Sequence, residues 1–304
     1  MKNNSRIYRS IIKTLLYSDV FDYPLRKREL WKFLNIRGRV NKDLFNKNLD
    51  EMVQSRQIKM KDGYYFLTGR GNVIFTRLER TRISRDKMEI ANKAARILSY
   101  IPTIKLIGIS GSLSLKNASL QDDIDFFIIA KPDTLWITRF LVNVLLIITS
   151  HKRSIRDSQG MNLICPNLFL SESELSMSIV RRNLFSAREI AQLYVLFERD
   201  RTYKKFLSAN FWIKNFLPNI KIPKKKYIHK NDRSILGFLD KIFYALQFLY
   251  MSNRITAEEI RRNAAYFHPK NKGEIILKIY KLRYEKYLKN ILQDIDNKSP
   301  FLYI

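Results

Sequence analysis

The stretch IKLIGISGS at residues 104–112 is followed, after ten further residues, by DIDFFIIA at residues 123–130. The first stretch has an apolar run rich in Ile and the second has one rich in Ile and Phe, a composition typical of buried strands. We therefore predict one strand over 104–109 and another over 124–130. The first strand ends at a bend of small residues, Ser110-Gly111-Ser112, and the second begins beside two acids.

The two acids are Asp123 and Asp125, and they are separated by a single residue. Side chains alternate between the faces of a strand, so both carboxylates are expected on the same face. Neighbouring carboxylates repel each other unless a cation lies between them, and paired oxygen ligands suit Mg²⁺. The alternative is that the acids are ordinary turn or edge residues.

The bend before the acids has the composition of a phosphate-binding loop. Gly111 lacks a Cβ, so backbone amides at the bend can approach a phosphate closely. Ser112 adds a hydroxyl donor, and its alternative role is to cap a helix, which is compatible with phosphate binding. The bend and the acids together predict a site for Mg²⁺ and a phosphorylated ligand.

This pattern, Gly111-Ser112 followed by Asp123-Ile124-Asp125-Phe126, resembles the signature of the polymerase-beta-like nucleotidyltransferase superfamily. The wider layout is similar to uncharacterised bacterial nucleotidyltransferase-domain proteins. The resemblance covers residues 95–172 and implies a mixed sheet with flanking helices. It further implies that Asp123 and Asp125 bind Mg²⁺ and are catalytic, and that a triphosphate is held by the bend, Ser110, Gly111 and Ser112.

Many members of that superfamily carry a third carboxylate on a later strand. The strand that we predict at 161–170 contains no acid. The sequence leaves three alternatives open: an acid outside this strand bends back into the site, Asn167 substitutes for it, or two carboxylates suffice. The acids outside the strand are Asp157, Glu172 and Glu174.

The first part of the chain predicts three short helices and a hairpin. Apolar residues recur at helical spacing over 7–16, 25–34 and 41–53. Asp62-Gly63 then separates two short β-prone runs, which is a strong hairpin signal. This order of elements resembles a winged helix-turn-helix domain over residues 5–68.

The fold class that we predict is α+β. From Ser173 onward the sequence pattern is helical almost throughout. The predicted organisation has four segments: a winged helix-turn-helix domain at 1–69, a connecting helix at 70–100, a nucleotidyltransferase core at 101–172 and a helical C-terminal domain at 173–304.

The composition restricts the classes of function. Lys and Arg number 56 against 28 Asp and Glu, a formal net charge of +28. Such a charge favours polyanionic partners, although a general bias toward Lys explains it equally well. One cysteine, Cys165, excludes an intrachain disulfide and a cluster of cysteine ligands. The absence of a secretory signal and of a membrane span predicts a cytoplasmic protein without a membrane partner.

The sequence therefore predicts a Mg²⁺-dependent nucleotidyltransferase that moves a nucleotide from a nucleoside triphosphate to an unidentified acceptor. The alternative function is a DNA-binding regulator whose nucleotide-binding domain is catalytically inactive. In that case the helix at 41–53 would read DNA, and the donors on it are Lys42, Asn46, Lys47 and Asn48. The oligomeric state is left open.

Overall fold

The structure is a computed structural model that describes residues 2–149, 162–223, 236–252, 258–267 and 271–297. The chain divides into two compact units, and its fold class is mixed α+β as predicted. Unit 1 comprises Met1–Thr76, Lys214–Asn219 and Lys272–Ile304, and unit 2 comprises Arg77–Ile213 and Ile220–Asn271. Among the described helices, none combines the length and apolarity needed to span a bilayer.

Unit 1 contains the three helices and the hairpin that the sequence predicts. At the turn of the hairpin, Asp62 and Gly63 both have positive φ values, of 54° and 76°, as a tight two-residue hairpin turn requires. The strands form an antiparallel sheet in the order β1-β3-β2. The elements are α1 (Lys2–Asp19), β1 (Leu25–Arg26), α2 (Lys27–Lys32), α3 (Lys42–Gln54), β2 (Ile58–Lys61) and β3 (Tyr64–Leu67).

One of the four donors expected on α3, Asn48, is buried, whereas Lys42 and Lys47 are exposed. Asn48 is buried at 4% exposure and donates its amide to the Leu44 carbonyl, so it cannot serve as a donor to bases. The Asn41 side chain caps α3, since it accepts from the backbone N–H groups of Asp43 and Leu44. The long last helix of the chain, α10 (Asn271–Asn297), packs in the same unit through a Tyr17–Tyr280 edge contact at 5.6 Å.

Unit 2 is built on a six-stranded sheet in the order β7-β4-β5-β6-β9-β8. β4 and β5 pair antiparallel and span the residues predicted for them, whereas β5 and β6 pair parallel. The elements are α4 (Val73–Leu98), β4 (Ile104–Ile109), α5 (Gly111–Ser114), β5 (Ile124–Ala130), α6 (Leu135–Ile148), β6 (Ile164–Ser171), α7 (Leu184–Gln192), β7 (Tyr194–Glu198), α8 (Thr202–Ala209), α9 (Gly237–Ser252), β8 (Glu259–Arg261) and β9 (Ala264–Tyr266).

Three of these strands lie where the sequence predicts helix, because β7, β8 and β9 all come after Ser173. β7 is a short run of β-branched and aromatic residues, and it pairs with the outer edge of β4. β9 pairs antiparallel with β6 and covers its other edge. The expectation of helix was wrong for these strands because sheet pairing outweighs helix propensity in short segments.

α6 is the crossover helix that joins the parallel strands β5 and β6. Its buried side chains include Trp136 and Val142, and they join the core that packs on the central strands. Because parallel strands need such a crossover, the order strand–helix–strand is consistent with β6 lying beside β5.

The N-terminus of α6 is held by a carboxylate from α9. Asp240 is 1% exposed and accepts the backbone N–H groups of Trp136 at 2.8 Å and Ile137 at 3.0 Å. These N–H groups have no partner within the helix, so Asp240 satisfies donors that burial would otherwise leave unbonded. Burial raises the pKa of Asp240 above 3.8, and the two hydrogen bonds offset only part of this effect.

We predict that Asp240→Ala lowers the free energy of unfolding by about 1–3 kcal/mol, because two buried N–H donors lose their acceptor. Asp240→Asn keeps an acceptor oxygen and should cost less. Since the folded state favours the protonated acid, it binds more protons than the unfolded chain between pH 3.8 and the raised pKa. The free energy of unfolding should therefore fall as the pH rises through this interval.

Denaturant unfolding of the wild type and both variants at several pH values measures these effects. Asp240→Asn should lack the fall in stability over the same pH interval. An Asp240→Ala protein as stable as the wild type would show that Asp240 does not support α6.

Candidate metal and phosphate site

The structure brings the two predicted acids together at the start of β5. One carboxylate oxygen of Asp123, one of Asp125 and the Sγ of Cys165 all lie within 4.8 Å of one another. Asp125 is 8% exposed, whereas Asp123 is only partly buried. Within the described residues this is the cluster that brings three carboxylate, thiol or imidazole ligands within reach of one ion.

Cys165 reaches the acids through the pairing of β5 with β6. In the parallel register Ile124 lies opposite Ile164, and Asp125 lies opposite Cys165. Paired residues of adjacent strands point to the same side of the sheet. The thiol is therefore placed beside the carboxylate by the backbone hydrogen bonds of two central strands.

Gly111 lies directly against the acid pair. A Cβ built on Gly111 would be 2.6 Å from Asp125 Oδ2, closer than any real contact of that kind. Its φ of +63° is also a conformation that favours glycine. The next residue back, Ser110, donates its backbone N–H to the Asp125 carbonyl at 3.0 Å. Only a glycine allows the bend and the carboxylate to share this small volume.

The segment between the bend and the acids is held by polar contacts. Ser112 Oγ donates to Asp122 Oδ2 at 2.7 Å, and Asp122 also accepts from the backbone and hydroxyl of Ser119. Burial raises the pKa of Asp122, but these hydrogen bonds outweigh it and hold the pKa below 3.8. The Ser112 hydroxyl is thus a donor to Asp122 in this structure.

Lys87 of α4 fastens the same segment. Its side chain is buried, and its Nζ donates to the carbonyls of Leu120, at 3.1 Å, and Asp122, at 2.5 Å. Burial lowers the pKa of Lys87, while the charges of Asp122 and Asp123 act in the opposite direction. A buried cation next to Asp123 therefore offsets part of the repulsion within the acidic group.

Asn167 links Asp125 to Cys165. Its Nδ2 donates to Asp125 Oδ1, and its Oδ1 accepts from Cys165 Sγ at 2.7 Å. The pairing register jumps at this residue, since Phe126 lies opposite Pro166 and Phe127 opposite Leu168. A bulge re-aims a side chain within a strand. Here Asn167, at 4% exposure, contacts both candidate ligands.

Two of the acids considered from the sequence, Glu172 and Glu174, are paired with basic residues away from this cluster. Glu172 comes directly after β6 and donates its backbone N–H to Ala130, at the opposite end of β5, roughly 16 Å from Asp125 at about 3.3 Å per residue. Its carboxylate pairs with Lys205 at 2.5 Å. Glu174 pairs with Arg261. Asp157 lies outside the described residues. Of the three alternatives, Asn167 is the residue that contacts Asp125.

A further acid approaches the bend from α7. Glu189 Oε2 accepts the backbone N–H of Gly111 at 3.3 Å, and Glu189 Oε1 accepts from Gln192 at 2.7 Å. The Glu189 carboxylate thus accepts the hydrogen bond from the Gly111 N–H that a bound phosphate oxygen would accept. The sequence pattern places Glu189 on a charged helix face and gives no sign of this contact.

Comparison of the chain with protein-family models, with curated proteins and with solved structures yields no match in any of the three. A function for the protein is therefore argued from the geometry of the site and from the two motifs that form it.

We predict that Gly111→Ala lowers the free energy of unfolding by about 2 kcal/mol or more, since a β-carbon would meet both an unfavourable φ and the Asp125 carboxylate. Gly69 provides a matched control, because its φ is +84° and a Cβ there would meet nothing within 4 Å. Gly69→Ala should cost only about 1 kcal/mol.

Denaturant unfolding of both variants gives the comparison. Equal losses of stability at the two positions would show that the close approach of Gly111 to Asp125 has no energetic weight.

Proposed function

We propose that the protein is a metal-dependent nucleotidyltransferase that uses a nucleoside triphosphate as substrate. The observation that carries this proposal is the convergence of Asp123 and Asp125 with the glycine bend in one small volume. A carboxylate pair next to backbone amides at a bend is suited to holding a divalent ion and phosphate oxygens together. The resemblance of the two sequence motifs to nucleotidyltransferases supports the same reaction class.

The residues present fit a divalent cation by the chemistry of their donor atoms. Asp123 and Asp125 each offer a carboxylate oxygen, and these oxygens lie within 4.8 Å of each other. Lys87 contributes one neighbouring positive charge, whereas two acids, Asp122 and Asp123, interact with it. The positive charge of Lys87 therefore does not balance the negative charge of the acids. When bound, Mg²⁺ supplies positive charge next to the attacking and leaving oxygens of a phosphoryl group.

Asp123 and Asp125 would hold that ion in the proposed reaction, and the bend of Ser110, Gly111 and Ser112 would position the triphosphate. The N–H of Ser110 is committed to the Asp125 carbonyl, so the backbone donor proposed for a phosphate oxygen is the N–H of Gly111 after Glu189 leaves it. An acceptor oxygen forms a bond to the α-phosphorus, and the bond to pyrophosphate breaks; where the acceptor is a hydroxyl, its proton passes to solvent. The protein orients the two reactants in line and excludes alternative geometries. Its contribution to the rate is positioning and electrostatic stabilisation rather than covalent chemistry.

We predict that Asp123→Asn and Asp125→Asn each reduce nucleotidyl transfer by at least about 10²–10³-fold, the range seen when one preorganised charge-stabilising group is removed. Both substitutions keep the shape of the side chain. Asp125→Asn also retains an Oδ1 acceptor for Asn167. Release of pyrophosphate from each labelled triphosphate, with RNA, protein and small-molecule acceptors, is the measurement.

Asp200→Asn is the matched control, because it removes the same charge from an exposed acid that pairs with Lys105. It should leave transfer unchanged. Normal transfer by the Asp125→Asn protein would contradict the proposal.

The Glu189 contact gives an independent prediction. A triphosphate that binds the Gly111 N–H must displace the Glu189 carboxylate, which also repels it. Glu189→Gln should therefore tighten binding of a non-hydrolysable triphosphate in the presence of Mg²⁺ by about tenfold, equivalent to about 1.4 kcal/mol. Calorimetric titration measures this change. Weaker binding by the variant would show that Glu189 helps to hold the nucleotide rather than competing with it.

The alternative function, DNA reading by a winged helix in unit 1, is disfavoured by the charges of α3. Lys42 and Lys47 are outnumbered on that helix by Asp43, Asp50 and Glu51, a net charge of 2 − 3 = −1. A helix that enters a DNA groove gains affinity from positive charges near the phosphates. The charge of α3 therefore gives this alternative no specific support, and we do not adopt it.

A further inference from the structure

Cys165 adds a sulfur donor to a site whose other ligands are oxygens. It is the single cysteine of the chain, and the β5–β6 register sets it opposite Asp125. Its Sγ and one oxygen from each of Asp123 and Asp125 lie within 4.8 Å of one another. Ligand atoms around a Zn²⁺ ion lie about 2.0–2.3 Å from the metal, so only a small inward adjustment separates this arrangement from coordination by all three groups.

The presence of sulfur affects which ion the site prefers. Mg²⁺ takes oxygen ligands and retains much of its water, so it gains little from a thiolate. Ions of borderline softness, such as Zn²⁺ and Co²⁺, bind carboxylate oxygen and thiolate sulfur alike. Three protein ligands also leave a further position open, which is the pattern of a catalytic rather than a closed structural zinc site.

Asn167 orients the sulfur and one carboxylate at the same time. It accepts from Cys165 Sγ at 2.7 Å and donates to Asp125 Oδ1. Its burial and its place at a strand bulge hold the amide in position. The bond to Asp125 fixes one carboxylate before an ion arrives, and such outer contacts raise metal affinity. A bound thiolate has no proton to donate to Asn167 Oδ1, so on binding the metal–sulfur bond replaces that hydrogen bond.

We infer that Cys165 is the third protein ligand of the metal site and that the site binds a borderline divalent ion of the Zn²⁺ class more tightly than Mg²⁺. The inference rests on the proposed function only for the assignment of Asp123 and Asp125 as metal ligands. On binding, a metal–sulfur bond forms and the S–H bond breaks, and the proton passes to solvent. No group is oxidised or reduced.

Titration of the full-length protein with Co²⁺ tests the inference without any measurement of activity. A thiolate bound to Co²⁺ gives a sulfur-to-metal charge-transfer absorption in the near ultraviolet. We expect this absorption at one equivalent of Co²⁺, and we expect Zn²⁺ but not Mg²⁺ to displace it. Cys165→Ser should abolish the absorption and weaken Co²⁺ binding at least about tenfold. It should change Mg²⁺ binding less than about threefold, because Mg²⁺ does not use the sulfur.

Substitution of one acid in the cluster and of one control acid outside it determines whether the sulfur binds metal together with the acids. Asp123→Asn should weaken Co²⁺ binding at least about tenfold, whereas the control Asp200→Asn should not. Alkylation of Cys165 by a maleimide provides a second measurement, since a metal-bound thiolate is withdrawn from reaction. Co²⁺ should slow alkylation at least about tenfold in the wild type and not in Asp123→Asn.

Co²⁺ bound to the wild type without charge-transfer absorption or protection of Cys165 would overturn the inference. It would also be overturned if Asp123→Asn and Asp125→Asn left the absorption and affinity unchanged, because the thiol would then bind metal without the acids. The proposed function fails separately. A charge-transfer band with no nucleotidyl transfer refutes the transferase, whereas transfer with Mg²⁺ and no band refutes the thiolate ligand.

Discussion

The parallel pairing of β5 with β6 is the constraint on which the rest of the site depends. It sets Cys165 opposite Asp125 and delivers Asn167 to a position where it contacts both. A shift of one residue in this register would send these side chains to the other face of the sheet. The register is held by buried apolar residues along both strands. The packing of the core therefore also fixes the positions of the acids. α6 closes the crossover, and the Asp240 contact at its N-terminus ties α9 to the same arrangement.

Polar contacts then position the segment that leads into β5. Lys87 binds two carbonyls of that segment, and Asp122 receives hydrogen bonds from Ser112 and Ser119. Each of these groups is buried at least in part, so loss of a single partner would leave another polar group unsatisfied. The ten-residue segment between the bend and the acids is therefore fixed in place by these hydrogen bonds. It keeps Gly111 against Asp125 at a distance that no side chain on residue 111 would allow.

The sequence predicts the strands at 104–109 and 124–130 because each is a mainly apolar run, interrupted once by a charged residue and bounded by small or acidic residues. It also predicts that Asp123 and Asp125 share a face, since alternation along a strand is a local property. The strand–helix–strand order is compatible with parallel pairing of β5 and β6, but the register that sets Cys165 opposite Asp125 depends on packing. The contacts of Lys87 and Glu189 depend on helices distant in sequence, and no local pattern indicates them. β7 was missed because five residues are too few for periodicity to separate a strand from a helical segment.

In the proposed reaction, the charges around the site determine the order in which the metal and the nucleotide would bind. The chain as a whole carries +28, which draws anions toward it, yet the site itself gathers Asp122, Asp123, Asp125 and Glu189 around one glycine bend. Lys87 offsets part of this negative charge, but its Nζ is directed to backbone carbonyls. A triphosphate that approached the bend alone would meet like charges and a backbone N–H already bonded to a carboxylate. A divalent cation bound between Asp123 and Asp125 would offset the charge of these two acids and would give the phosphates a positive partner with which to displace Glu189. In the proposed reaction the metal would therefore bind before the nucleotide or together with it, because the acids that would hold the ion repel a nucleotide that arrives without it.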